Sequence, residues 1–183
     1  MSGRQRPQHR DRIGLIPLDE SPAATEIGLE RTVEVLARGE IELEGLVPWS
    51  SNYTFLVSIA DGDLRAMAIY KPCLGERPLW DFDEGTLCRR EVAAYQLSRL
   101  LGWPAVPPVV LREGPHGLGS VQLFIDCDPE EHYFSLRGNP SYDAAFRRVA
   151  LFDCLTNNAD RKAGHLLRDR RDGIWAIDHG LTF

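Results

Sequence analysis

The chain has 183 residues, 43% of them hydrophobic and 26% charged, which is enough for one domain or two small lobes around a buried core. Its formal net charge of −6 argues against a nucleic-acid binder that works by phosphate attraction, so no nucleic-acid partner is expected. No apolar run approaches the length of a membrane span and no signal-peptide core is visible, so no transmembrane segment and a cytoplasmic location are expected. In that setting Cys73, Cys88, Cys127 and Cys154, which lack metal-site spacing, are expected to be reduced thiols.

The first 22 to 24 residues are polar and basic and read as a mobile tail. From Ala23 to Arg38, Ile27, Val33, Leu36 and Ala37 recur on a helical rhythm, with Gly39 as the expected C-cap. Ile41 to Glu44 alternates as a strand. Pro48 to Asn52 is a turn, and Tyr53 to Ile59 reads as a second strand. Asp61-Gly62 is a strong hairpin signal, and a third strand from Leu64 ends on Lys71. Lys71 is one of only two lysines; the other is Lys162. Pro72 to Gly85 is too broken for an element. Thr86 is the expected N-cap of a helix through Leu101 that carries Glu91. Val106–Leu111 and Ser120–Ile125 read as strands, Asp126 to Pro129 as a break, and Ser141–Thr156 as a helix. Leu166 to Ile177 lies within a predicted hairpin turning at Arg170 to Gly173, with Arg170-Arg171 a solvated tip. The tryptophans Trp49, Trp80, Trp103 and Trp175 are expected to be core residues.

One stretch organises the rest. Asp160 sits in a loop beside Arg161 and Lys162; His165 follows five residues after Asp160, and Asp178 precedes His179-Gly180. Phosphoryl transfer needs one carboxylate to align and deprotonate a hydroxyl and a second to hold Mg²⁺ against nucleotide phosphates. Kinase-type loops place the base and a metal ligand five positions apart, with the metal aspartate before a glycine.

The order of these parts resembles the protein-kinase-like superfamily, and within it the phosphatidylinositol 3-/4-kinase-like branch. The segments Glu44 to Tyr53, Gly75 to Phe82 and Asn157 to Lys162 are similar to small actinobacterial phosphatidylinositol-kinase-like proteins. The resemblance implies an α+β bilobal fold: a tail to residue 24, an antiparallel-sheet N-lobe over 25–126, and an incomplete C-lobe over 127–183. It implies ATP and Mg²⁺ as cofactors and an unidentified hydroxyl of a lipid, protein or small molecule as acceptor; the softer imidazole of His165 leaves three readings open, a weak metal site, tolerance of Mn²⁺, or another task for that residue. Ser50, Ser51 and Asn52 match the phosphate-covering turn, Lys71 the phosphate-binding lysine, and Glu91 its orienting acid. Ile125, Asp126 and Cys127 match the adenine-binding hinge. Asp160, Arg161 and Lys162 match the catalytic loop, and His165 and Asp178 the metal ligands. His165 departs from the family, where asparagine holds that place, and a nucleotide-binding module without turnover is the alternative reading.

Overall fold

In the computed structural model, residues 16–17, 28–48, 50, 52–103 and 106–183 are described. The chain forms an α+β structure built on one antiparallel sheet. Its strands are β1 (Ile16–Pro17), β2 (Glu40–Leu46), β3 (Phe55–Asp61), β4 (Leu64–Pro72), β5 (Val109–Gly114) and β6 (Gly117–Leu123). The order is β2-β3-β4-β6-β5, with β1 pairing the start of β4 through Ile16–Arg65 and Pro17–Leu64. Those two residues were expected within the mobile tail. The rest of the predicted tail, residues 23–27 of the predicted first helix, Trp49 and Ser51 lie outside the described residues.

Local chemistry accounts for most of these elements. The β3–β4 hairpin closes Asp61 on Leu64 across Gly62, whose φ of 61° suits glycine. The register of β2 shifts between Leu43 and Gly45, where the alternating pattern loosens in the sequence. In β4, Ala66, Ala68 and Tyr70 face a core with Val57, Ile59 and Val121, covered by Val35 and Leu36 of α1 (Leu29–Arg38). Strand side chains alternate, so Lys71 and its register partner Ser120 point to the other face. There they meet α2 (Leu87–Leu100), whose Ala94 and Tyr95 pack with Val106, Val109 and Phe152. The fifth strand begins at Val109, not Val106, because Pro107 and Pro108 have no N–H to donate to a ladder.

Beyond the sheet come a short helix α3 (Tyr133–Leu136), α4 (Pro140–Thr156), and a hairpin of β7 (Leu166–Arg168) and β8 (Ile174–Ala176). Pro140 at the first turn and the Asn139 side chain, which accepts from Ser141 N–H, start α4; Asn157 at φ 52° ends it. Val149 packs with Leu166 and Ala176, and Phe152 joins the α2 cluster, so α4 ties the hairpin to the sheet. The buried stripe of α4 is thus Val149, Phe152 and Thr156, while Ala150 and Cys154 are exposed. Helix α3 has no signal in the sequence: four residues cannot display a period, and its cap comes from His132 and Ser135 side chains.

Several expectations need correction. Gly39 is extended (φ −61°, ψ 156°) and is not a left-handed cap. It is glycine because a Cβ there would lie 2.5 Å from Ile59 Cγ2 and 2.8 Å from Val35 O. Thr86 makes no capping bond to α2; its hydroxyl instead donates to Asp83 O. The α2 N–H groups of Leu87 and Cys88 donate to the Glu76 carboxylate at 3.1 and 2.8 Å. Trp80 is 96% exposed, because the residue sits at the tip of the bridge between Leu79 and Phe82. Trp103 packs beside the α2 cluster, and Trp175 is half-buried with its indole N–H on Asp169.

Cys73 and Cys88 are joined in a disulfide, contrary to the reduced state expected from composition. The three-ten turn Cys73–Gly75 after β4 brings Cys73 to the first turn of α2, a proximity no spacing rule could show. The bridge closes a loop of 15 residues, for which chain-entropy arguments give about 3 kcal/mol. Urea unfolding with and without dithiothreitol should therefore show a loss of that order on reduction. A Cys73→Ser/Cys88→Ser variant insensitive to dithiothreitol should match the reduced protein, and equal midpoints in all samples would refute the contribution.

Candidate active site

Three elements converge on one cluster of charges. Lys71 stands next to the last residue of β4, and its ammonium donates to Glu91 Oε1 and, at 3.2 Å, to Asp178 Oδ1. Glu91 lies on the buried stripe of α2 at 3% exposure, and its second oxygen accepts from the Ser120 hydroxyl at 3.1 Å. A buried carboxylate is tolerable only when paired and hydrogen-bonded in this way. Asp178 follows β8 in a left-handed backbone conformation (φ 62°), a region that aspartate enters more readily than most residues. Its other oxygen lies 3.3 Å from His165 Nε2.

These contacts set the protonation states. Burial pushes the Lys71 ammonium down, but Glu91 and Asp178 together outweigh it and hold the ammonium well above its ordinary value. Burial pushes Asp178 up, yet Lys71 and His165 leave it below the usual carboxylate range. Burial lowers His165 against the pull of Asp178, so its imidazole is neutral near pH 7.

The loop after α4 is fastened by Arg161. Its guanidinium bonds both oxygens of Asp153 at 2.8 and 2.9 Å, the Ile177 carbonyl at 2.6 Å, and His179 Nε2 at 2.7 Å. Four of its five N–H donors are thus spent inside the protein, and it ties α4, the loop and the segment after β8 together. Asp160, next to it, receives its N–H restraint from Asn158 Oδ1 at 3.1 Å, and its Oδ2 accepts from Lys162 at 2.6 Å. That hydrogen bond to Asp160 raises the Lys162 ammonium.

A guanidinium can only donate, so His179 Nε2 must accept and stay unprotonated. Burial, with Arg161 adding to it, pushes His179 down to about 3. The unfolded chain takes up that proton near pH 6.5 and the folded chain does not. Stability should therefore fall as pH drops from 6.5 toward 3, by roughly 2–3 kcal/mol at pH 4.5. His165, lowered in the same direction, adds to the slope. Urea unfolding at pH 7 and 4.5 checks this: His179→Gln should flatten the dependence, and an unchanged slope would contradict the assignment.

A cavity of about 240 Å³ opens over this cluster, lined among others by Asn52, Lys71, Arg77, Glu91, Asp160 and Asp178. Five residues singled out from sequence therefore share one cavity. Others do not line it. Ser50 is exposed and bonds Thr54. Ile125 is buried, Asp126 pairs with Arg170 at the hairpin tip, and Cys127 bridges Asp169. A larger cavity of about 410 Å³ beside residues 73–87 contains neither Lys71 nor the two aspartates.

Two of the site's side chains suit a divalent cation. Asp178 and His165 present an oxygen and a nitrogen close enough to share one, and the imidazole is neutral, as ligation requires. Carboxylate oxygen suits Mg²⁺ and Mn²⁺ alike, while the imidazole nitrogen tilts the set toward Mn²⁺. Among the described residues, Cys73, Glu76 and Cys88 are the one trio of potential ligands within 4.8 Å of each other. Their atoms are already committed to the disulfide and the α2 cap.

Sequence reasoning missed Asp153, His179, Glu76 and Arg77. Only Asp153 carried a usable signal: a carboxylate in the last turn of a helix just before a basic loop.

No protein-family model matches the chain. Among proteins of known sequence it is similar to Protein Rv2133c of Mycobacterium tuberculosis, at 38% identity over 80% of this chain and 65% of that protein. It is also similar to phosphatidylinositol 4-kinase gamma 4 of Oryza sativa subsp. japonica, at 34% identity over 116 residues, 53% of this chain and 20% of that protein. The chain thus spans less than two thirds of the length of either relative. Among the described residues no helix is long and apolar enough to cross a membrane.

Proposed function

We propose that the chain carries the nucleotide and metal site of an ATP-dependent phosphotransferase of the protein-kinase-like superfamily. In this reading residues 25–126 form the N-lobe and 127–183 the start of a second lobe. The carrying observation is the convergence of Lys71, Glu91 and Asp178 on one cavity that Asp160 also lines. The partial similarity to a plant phosphatidylinositol 4-kinase supports it.

Each residue then has a task. Glu91 holds the Lys71 ammonium, which has three N–H donors and can turn one to nucleotide phosphate. Asp178 and His165 would hold Mg²⁺ or Mn²⁺, which when bound neutralises charge on the phosphate oxygens. Asp160 accepts the proton of the acceptor hydroxyl on Oδ1, the oxygen that Lys162 leaves open. As the acceptor oxygen bonds to the γ-phosphorus, the bond from that phosphorus to the β–γ bridging oxygen breaks and ADP leaves. Lys162 lies beside Asp160, where it can balance charge on the transferred group. Ser50, Ser51 and Asn52 would cover the phosphates, and the backbone of Ile125 to Cys127 would contact adenine. Arg161 positions Asp160 and does not touch substrate. The acceptor class is a lipid, protein or small-molecule hydroxyl.

The test is transfer or hydrolysis of γ-labelled ATP with Mg²⁺ and with Mn²⁺. Asp160→Asn should lose at least about 100-fold, the scale of general-base catalysis. Label transfer unaffected by that change would refute the role. Nucleotide-induced thermal stabilisation without turnover would instead establish the non-catalytic nucleotide-binding reading. Transfer of α- but not γ-label would indicate movement of AMP.

A further inference from the structure

The cavity is short of positive charge for the ligand assigned to it. Its lining includes four carboxylates, Glu76, Glu91, Asp160 and Asp178, against two cations, Lys71 and Arg77. Lys71 is already shared between Glu91 and Asp178. A polyphosphate would add further negative charge, which one divalent cation at Asp178 offsets only in part. The usual backbone remedy, a helix N-terminus, is closed: the first free N–H groups of α2, on Leu87 and Cys88, are capped by Glu76.

Arg77 is the group left over. Among the described residues its guanidinium has no hydrogen-bond or ion-pair partner, although Arg77 lines this cavity and also borders the larger one beside it. Its backbone, by contrast, is held from several sides. The Arg77 N–H donates to Asn52 Oδ1 at 2.9 Å, and the Gly75 carbonyl accepts from Tyr53 N–H at 3.2 Å. Glu76 is bound to the start of α2, the Cys73–Cys88 bridge anchors the turn before it, and Pro78 restricts the backbone after it. A fixed backbone carrying five unspent N–H donors in a planar fork is what bidentate phosphate recognition asks for.

We propose that Arg77 is the second cationic ligand of the polyphosphate, alongside Lys71. This rests on the phosphotransferase reading for the identity of the ligand. Asn52, beside its place in the phosphate-covering turn, then also holds the Arg77 backbone at the cavity edge through its Oδ1.

Calorimetric titration of the full chain with inorganic tripolyphosphate in the presence of Mg²⁺ tests it without any need for turnover. Arg77→Ala should weaken binding about 10- to 100-fold, the worth of a charge-assisted hydrogen bond. Arg77→Lys should recover part of the loss, since the charge returns without the fork. The salt dependence of binding should flatten in Arg77→Ala and be restored in Arg77→Lys, which a merely structural residue would not produce. Arg77 is exposed, so both variants should melt like the parent. Tripolyphosphate bound equally by parent and Arg77→Ala would overturn the assignment of Arg77 and leave the phosphotransferase reading standing. Binding through Arg77 without any transfer from ATP would do the reverse. A parent chain that binds no tripolyphosphate would overturn both.

Discussion

Asp178→Asn should reduce phosphoryl transfer from ATP by about 1,000-fold or more while leaving the fold intact. The expectation follows from where the carboxylate stands. One oxygen faces Lys71 and the other His165, and the side chain is partly open to the cavity. A metal ion bound there would supply several kcal/mol of charge stabilisation in the transition state, and each 1.36 kcal/mol is about tenfold in rate. Asparagine is the informative replacement because, like aspartate, it tolerates the left-handed backbone at this position. Alanine would add strain and blur the result. The measurement is kcat with saturating Mg²⁺ or Mn²⁺, beside a thermal melt. Transfer at the parental rate would remove Asp178 from the mechanism. A lost melt with lost activity would show that the residue acts through folding instead.

The largest stability effect is expected at Arg161. Its side chain and that of Asp153 are only 16% and 15% exposed. Truncating one partner of such a pair leaves a desolvated charge, which costs about 3–5 kcal/mol. Arg161→Ala also strips the Ile177 carbonyl and His179 of their partner. Because the two acids of the site lie on either side of this fastening, Asp160 and Asp178 should lose their relative placement together. Urea unfolding of Arg161→Ala, Asp153→Ala and the double variant checks the pair, and the double should cost less than the sum of the singles. Strict additivity would mean that the two side chains do not act as a unit. The transfer assay on Arg161→Lys adds a second reading, since lysine keeps the charge but cannot make the bidentate contact.

Much of the architecture is readable from local signals. The β3–β4 hairpin follows from two alternating runs around Asp61-Gly62, and α4 from its period, with Asn139-Pro140 marking a start one residue before the expected Ser141. The gaps in that reading have physical causes. On α2 the buried stripe includes Glu91 and Ser98, polar residues that a hydrophobic pattern scores as exposed, whereas Leu100 is 85% exposed. Glu91 can be buried only because Lys71 and Ser120, distant in sequence, satisfy its oxygens. Trp80 looks like core by residue type and is surface by position. Glu76 caps a helix that starts 11 residues later, a separation outside any capping rule.

Local signals set the types and order of the main elements and where the chemistry-bearing residues stand along them: Lys71 near the end of β4, Glu91 inside α2, and Asp160, His165 and Asp178 after α4. Those features depend on periodicity and turn chemistry within a few residues. The tertiary structure alone decided that Lys71, Glu91 and Asp178 touch, that Arg161 is a fastener, that Cys73 meets Cys88, and that Arg77 is left with an unspent guanidinium at the cavity. Each of these depends on the distance between groups far apart along the chain, and that distance is set by packing of the sheet, α2 and α4 and not by any local preference.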